Sequence, residues 1–298
     1  MKLKKELSVF YLVFLGLSNI IGAGIFVVSG MAASIAGPSV IFSFLIAGLA
    51  SSLIGLIIAE LSSAIKETGE SYTYTKKAFG KFFGFLVGWM RFFNYPLSIS
   101  AVSLSFASYF LAFFVPQLNN FFYARMVALS LILFSAILNI VGIKRALKVA
   151  TSLTLFKLFA LSFFIVFGIF YAARNFDSSR ITPLFPNGFF GTLQAASLVF
   201  FAYLGFQAIA MASEEAKEPS KDIPLAILLS IFISSTFYIL IALVEILNVD
   251  WREFSNINHA ILYTAQKISN NQYFLLLIIT SALASMASVV LATLYSGS

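Results

Sequence analysis

The chain has 298 residues, of which 60% are hydrophobic and only 10% charged, and its mean hydropathy is +0.96. Soluble domains carry about 45–50% apolar residues, so the composition excludes an ordinary soluble protein and points to an all-α integral membrane protein. The formal charge of +7 would suggest nucleic acid in a soluble chain. Here the basic residues gather in short connecting segments, so membrane topology accounts for them and no nucleic-acid partner is expected. The absence of cysteine excludes disulfides and thiolate metal sites.

In chain order, uncharged or nearly uncharged runs lie at about 8–30, 39–60, 82–115, 125–141, 149–172, 189–212, 223–247 and 272–298, each close to the ~20 helical residues that cross a hydrocarbon core. They are continuous and do not alternate as barrel strands do. Eight membrane helices are therefore expected. With the amino terminus cytoplasmic, the inner segments hold twelve basic residues (Lys2, Lys4, Lys5, Lys66, Lys76, Lys77, Lys81, Lys144, Arg145, Lys148, Lys217, Lys221) and the outer segments five (Arg125, Arg174, Arg180, Arg252, Lys267). That bias follows the positive-inside rule, and one miscounted helix would invert it. The opening "MKLKK" could introduce a signal peptide, but the apolar run after it far exceeds the 7–15 residues of a signal core, so the first helix is retained.

The first run contains "NIIGAGIF", with Gly22 and Gly24 following Asn19 and flanked by Ile20, Ile21 and Ile25. Glycine and β-branched residues lower helix propensity, and small residues such as Gly48 and Gly55 otherwise serve close helix packing. Backbone left unwound at membrane depth is tolerated only inside protein or beside a polar cavity. The sixth run repeats the interruption in "FFAYLGFQAIAMASEE", where Gly205 stands among aromatic residues ahead of Gln207. An interruption in the first span of each five-helix half, the halves entering from opposite sides, is the pattern of inverted transporter repeats.

Three stretches in order then carry a resemblance: "NIIGAGIFV", "AELSSAIKETGESYTYTKKAFGKFFGFLVGW" and "FFAYLGFQAIAMASEEAKEPSKDIP". They resemble the amino acid–polyamine–organocation superfamily of transporters, particularly the amino acid permease and cationic amino acid transporter branches, along the whole chain. The resemblance implies a LeuT-like five-plus-five inverted repeat with broken helices one and six, residues 1–172 forming the first repeat and 189–298 the start of the second. It implies proton-coupled amino acid transport across the plasma membrane, without enzyme activity, cofactor or metal. The substrate carboxylate would meet backbone N–H groups of Ile21, Gly22, Ala23 and Gly24, as anions do at helix N-termini. The ammonium would meet carbonyls of Phe201, Ala202 and Leu204, with Tyr203 between them. The chain departs from the family pattern at Glu70, where a second glycine is frequent, and at Gln207, where an acid is frequent. Phe201 and Phe206 are candidate cavity gates.

Lys157 lies nine residues past Lys148, about 13 Å into a ~30 Å core, where a lysine costs at least about 2.5 kcal/mol. It needs backbone carbonyls as partners or a transport role. Proton-coupled relatives carry a lysine in this context of the fifth helix, at the place where sodium-coupled relatives hold a cation between helices one, five and eight. Arg91 is expected to snorkel or to pair with Glu60. Glu245, Glu214, Glu215 and Glu218 are expected on wet faces. An intramembrane enzyme would need a nucleophile–base pair or a metal cluster, and the single histidine, His259, lies in an outer segment. Exchange without proton coupling and a non-transporting scaffold or receptor are the alternatives. The ending "LATLYSGS" resembles the interior of the family's eighth helix, so an incomplete second repeat is expected, with further C-terminal helices or a partner chain supplying the remainder.

Overall fold

A computed structural model describes residues 7–65, 70–141 and 143–297. Lys2, Lys4, Lys5 and Lys66, and the side chains of Glu70, Lys144, Arg145 and Glu214, lie outside what it describes. The helices run α1 Val9–Ile20, α2 Ala23–Ala36, α3 Val40–Ala64, α4 Glu70–Phe79, α5 Lys81–Phe114, α6 Phe121–Val141, α7 Ile143–Arg174, α8 Gly188–Tyr203, α9 Gln207–Met211, α10 Pro219–Asn248, α11 Ala260–Ile268 and α12 Gln272–Gly297.

Among the described residues, seven helical stretches are long and apolar enough to cross a membrane, where the sequence suggests eight. The difference lies at the beginning. α1 has only 12 residues, and the 42 residues of Ala23–Ala64 form one apolar stretch interrupted by a 3-10 turn at Gly37–Ser39. A straight helix of that length would reach about 63 Å, roughly twice a hydrocarbon core. Both α2 and α3 pack on the 16-residue α8, so the chain folds back at Gly37–Ser39 and the two arms lie side by side. Two segments expected as loops also contain helix. α4 packs on α5 through Lys76 and Tyr72 against Gly84 and Gly88. α11 packs on α2, α10 and α12.

Helix contacts follow side-chain size. α3 approaches α10 where Gly48 faces Ser235 and Gly55 faces Ile227 and Ile231, the use of small residues common between membrane helices. α12 packs on α7, α5 and α6, while α1 is enclosed by α10, α7, α12 and α9. α1 is consequently buried from Leu15 to Ile20. The outward faces are the reverse: Phe82, Phe92, Phe121, Ile140, Phe190 and Phe232 are each at least 66% exposed. Apolar surface on this scale has no place in water, and α6 buries only Ala128 and Ser135. The chain is a multi-pass membrane protein.

Outside the spans, Tyr263 and Lys267 of α11 hold the Glu253 carboxylate, Lys267 at 3.1 Å. The hydrogen bond from Tyr263 is the main reason that the Glu253 carboxyl titrates below its ordinary range. At the other end of the molecule Leu7 pairs with the segment after α9, exchanging backbone hydrogen bonds with Glu215 and Lys217. Glu215 is not simply solvated there, because its carboxylate accepts the Tyr295 hydroxyl of α12 at 2.8 Å. Glu218 does lie in water, paired with an exposed Lys221.

Candidate functional site

Helix geometry stops at Ile20 and resumes at Ala23. Ile21, with ψ of 90°, and Gly22, with φ −135° and ψ −145°, depart from it. The first N–H groups of α2 have no intrahelical partners, and no side chain caps them. The second lapse follows Tyr203: Leu204 is extended and Gly205 takes φ of +124°. That conformation is readily adopted only by glycine. A Cβ on Gly205 would also stand 2.8 Å from the backbone of Asn19. The two lapses therefore touch.

A second close approach binds the same elements. A Cβ on Gly24 would fall 2.7 Å from the Cα of Ala202, so the start of α2 and the end of α8 meet with backbone almost against backbone. The Tyr238 hydroxyl of α10 lies 2.8 Å from the Ile20 carbonyl and 2.9 Å from that of Ala202. It offers one proton to two acceptors and fastens the last carbonyls of α1 and α8 to each other.

A cavity of about 630 Å³ opens at this junction. Gly22, Ala23, Gly24, Phe201, Ala202 and Leu204 line it, while Ile21 and Tyr203 do not. The Ile21 carbonyl is occupied by Ser285, at 2.8 Å, and by the Lys157 ammonium. The Tyr203 hydroxyl donates to Phe44 at 2.9 Å on the far side of α8. Phe201 is half exposed in the wall, but Phe206 is fully buried, so only Phe201 is placed to act as a gate. Beyond the apolar junction the wall carries Asn19, Arg91, Asn94, Gln207 and Thr293. The Gln207 side-chain oxygen accepts the Gly205 N–H at 3.1 Å, bracing the turn. Arg91 donates to Ser71 at 2.8 Å and faces the cavity. Tyr238, Ser285 and the cavity-facing position of Arg91 are details that sequence pattern did not reveal, since nothing local distinguishes them from other polar residues on membrane helices.

Lys157 of α7 is fully buried. Its ammonium donates to the Ser288 hydroxyl at 3.0 Å, to the Ser18 carbonyl at 3.4 Å and to the Ile21 carbonyl. It thus sits between α1, α7 and α12 at the carbonyl end of α1, where the helix dipole favours a cation. Glu245 corrects the sequence reading: expected on a wet face, it is fully buried and accepts Ser29 of α2 at 2.8 Å.

A family model described as amino acid permease matches residues 7–298. A branched-chain amino acid permease of Bacillus subtilis is 31% identical over 98% of this chain and 65% of its own length. A methylthioribose transporter of the same organism is 35% identical over 81% of this chain and 55% of its own. Cationic amino acid transporter 4 of Mus musculus is 31% identical, with 84% of this chain and 42% of its own covered. The chain thus spans less than two thirds of the length of these relatives, which are permeases and transporters rather than enzymes. With a family match over nearly its whole length, the chain belongs to the amino acid permease family.

Proposed function

We propose that the protein carries out secondary active transport of amino acids across the plasma membrane, coupled to protons, with its amino terminus cytoplasmic. In this reading residues 1–172 form a first five-helix repeat and residues 189–298 begin an inverted second one of LeuT-like type. α1 and α2 are then its broken first span, α8 and α9 its broken sixth. The supporting observation is the meeting of two helix lapses at one cavity, one presenting uncapped N–H groups and the other the carbonyl end of α8.

The N–H groups of Gly22, Ala23 and Gly24 bind the substrate carboxylate, aided by the positive end of the α2 dipole. The carbonyl end of α8, at Phe201, Ala202 and Leu204, binds the ammonium, and Phe201 closes over the side chain. Tyr203 acts indirectly, keeping the end of α8 against α3 through Phe44. Ile21 acts through Lys157, because the ammonium holding its carbonyl is one residue from the carboxylate site. Loss of the proton from Lys157 would release the end of α1 and thereby move Gly22. Release and recapture of the proton at this amine is the step that couples protons to the movement of α1.

The described wall residues include Arg91 and Gln207 but no carboxylate. This composition favours a neutral side chain over a cationic one, since a buried cation needs a partner. The test is uptake of labelled leucine and lysine by liposomes holding the whole chain, with and without an inward proton gradient, and with methylthioribose as competitor. Gradient-stimulated leucine accumulation exceeding that of lysine is expected. Accumulation no greater than in protein-free liposomes would overturn the reading.

A further inference from the structure

A buried carboxyl stands apart from this cavity. Tyr109 of α5 does not line the cavity and is seven residues past Val102, which does, about 10 Å along the helix. Its hydroxyl donates to the Phe26 carbonyl of α2 at 3.0 Å. Glu245 of α10 reaches the same α2 half-helix, accepting Ser29 at 2.8 Å. Both Ser29 and Glu245 are completely buried. The second carboxyl oxygen, Oε2, has no hydrogen-bond partner, nor have the Asn248 Oδ1 one turn further on and the His259 Nδ1. The His259 ring lies against Tyr109, their centroids 4.0 Å apart.

The surroundings supply little to hold a charge on this group. The Tyr109 hydroxyl is given to the Phe26 carbonyl and not to Glu245. α2 contains no ionisable residue. α3 carries Glu60, but Gly55 packs on Ile227 and Ile231, which places Glu60 toward the opposite end of α10. From α8, Tyr203 is committed to Phe44, and α9 has no ionisable residue; Glu214 and Glu215 follow α9, where Glu215 holds Tyr295. Lys157 of α7 is committed to α1 and α12, while Arg174 stacks on Phe170. Tyr11 of α1 makes an edge-to-face contact with Phe10. From α11, Tyr263 and Lys267 are joined to Glu253. Arg180, before α8, donates to the Leu247 carbonyl at 2.9 Å and lies 3.9 Å from Asp177. Among the described residues no cation is paired with Glu245. A carboxylate removed from water without a cation or a full set of donors is costly, whereas a neutral carboxyl keeps the hydrogen bond from Ser29 without burying a charge.

We propose that Glu245 is a second proton-binding group, remote from Lys157, that takes a proton from water as α2 closes against α10 and returns it to water when α2 moves away. Ser29 lies seven residues past Gly22 on the same half-helix, about 10 Å along it. The element whose N-terminus faces the cavity thus carries the donor to this carboxyl.

The test does not depend on transport. Infrared spectra of the whole chain in lipid membranes, taken from neutral to mildly alkaline pH, report the carbonyl stretch of any protonated carboxyl. The wild type is expected to show this band at neutral pH and Glu245→Gln to lose it, while Gln retains an acceptor for Ser29. In the same samples, carrying Trp89→Phe, the fluorescence of Trp251 reports on the nearby end of α2, since Trp251 packs beside Gly37. Quencher access to Trp251 is expected to rise with pH in the wild type and to stay level in Glu245→Gln. Identical carboxyl bands in the two proteins, or identical quenching profiles, would overturn the proposal.

Discussion

Gly205 shows how much depends on one missing side chain. Its φ of +124° and its contact with the Asn19 backbone both exclude a Cβ, so Gly205→Ala must strain the turn or push α1 away. A cost of about 1–3 kcal/mol is expected from such conformations. The expected readouts are a lower unfolding temperature and weakened amino acid binding. Lys157 separates stability from coupling. Lys157→Met leaves the Ile21 carbonyl its bond from Ser285 but strips the Ser18 carbonyl, a loss of about 1–3 kcal/mol for one unsatisfied buried group. The variant is expected to remain folded, to bind amino acid and to lose proton-driven uptake. Unchanged pH-driven uptake in Lys157→Met would remove Lys157 from the coupling mechanism. The glycines at 22, 24 and 205 stand out in the sequence because each falls within an apolar run beside β-branched or aromatic residues, a local mixture that disfavours a continuous helix. Nearness to a helix end suggests water at Glu245, whereas its burial depends on α2 packing against α10.

At the scale of elements, Tyr238 joins the ends of α1 and α8 through one hydroxyl. Tyr238→Phe keeps the ring in its T-shaped contact with Tyr203 while removing the donor from both carbonyls. It is expected to cost about 1–3 kcal/mol and to weaken amino acid binding more than it lowers the unfolding temperature, because the two halves of the site lose their common fastening. Parallel calorimetry and thermal unfolding on the two proteins would show this. Helix positions were legible over most of the chain, since length and hydropathy alone define α5, α6, α7, α10 and α12. The amphipathic α4 and α11 were not, because short polar helices owe their order to tertiary contacts rather than propensity.

For the whole molecule, charge bias orients the proposed topology, and the absence of cysteine makes that orientation measurable. In intact cells, Ser178→Cys is expected to react with a membrane-impermeant maleimide, and Lys77→Cys only after the membrane is opened. The reverse pattern would invert the topology. That the chain is an all-helical membrane protein was readable because composition and long continuous apolar runs decide it. The cavity wall was not, because Asn19, Arg91, Gln207 and Thr293 meet only through packing of α1, α5, α9 and α12.

The central claim is that two helix lapses bind the two ends of one amino acid. The most direct measurement is calorimetric binding of leucine to the whole chain in detergent, compared with its decarboxylated amine and with the carboxylic acid that lacks the amino group. Leucine is expected to bind measurably and both analogues to lose binding. An analogue that binds as tightly as leucine would contradict this, and the analogue that did so would identify which lapse has been assigned wrongly.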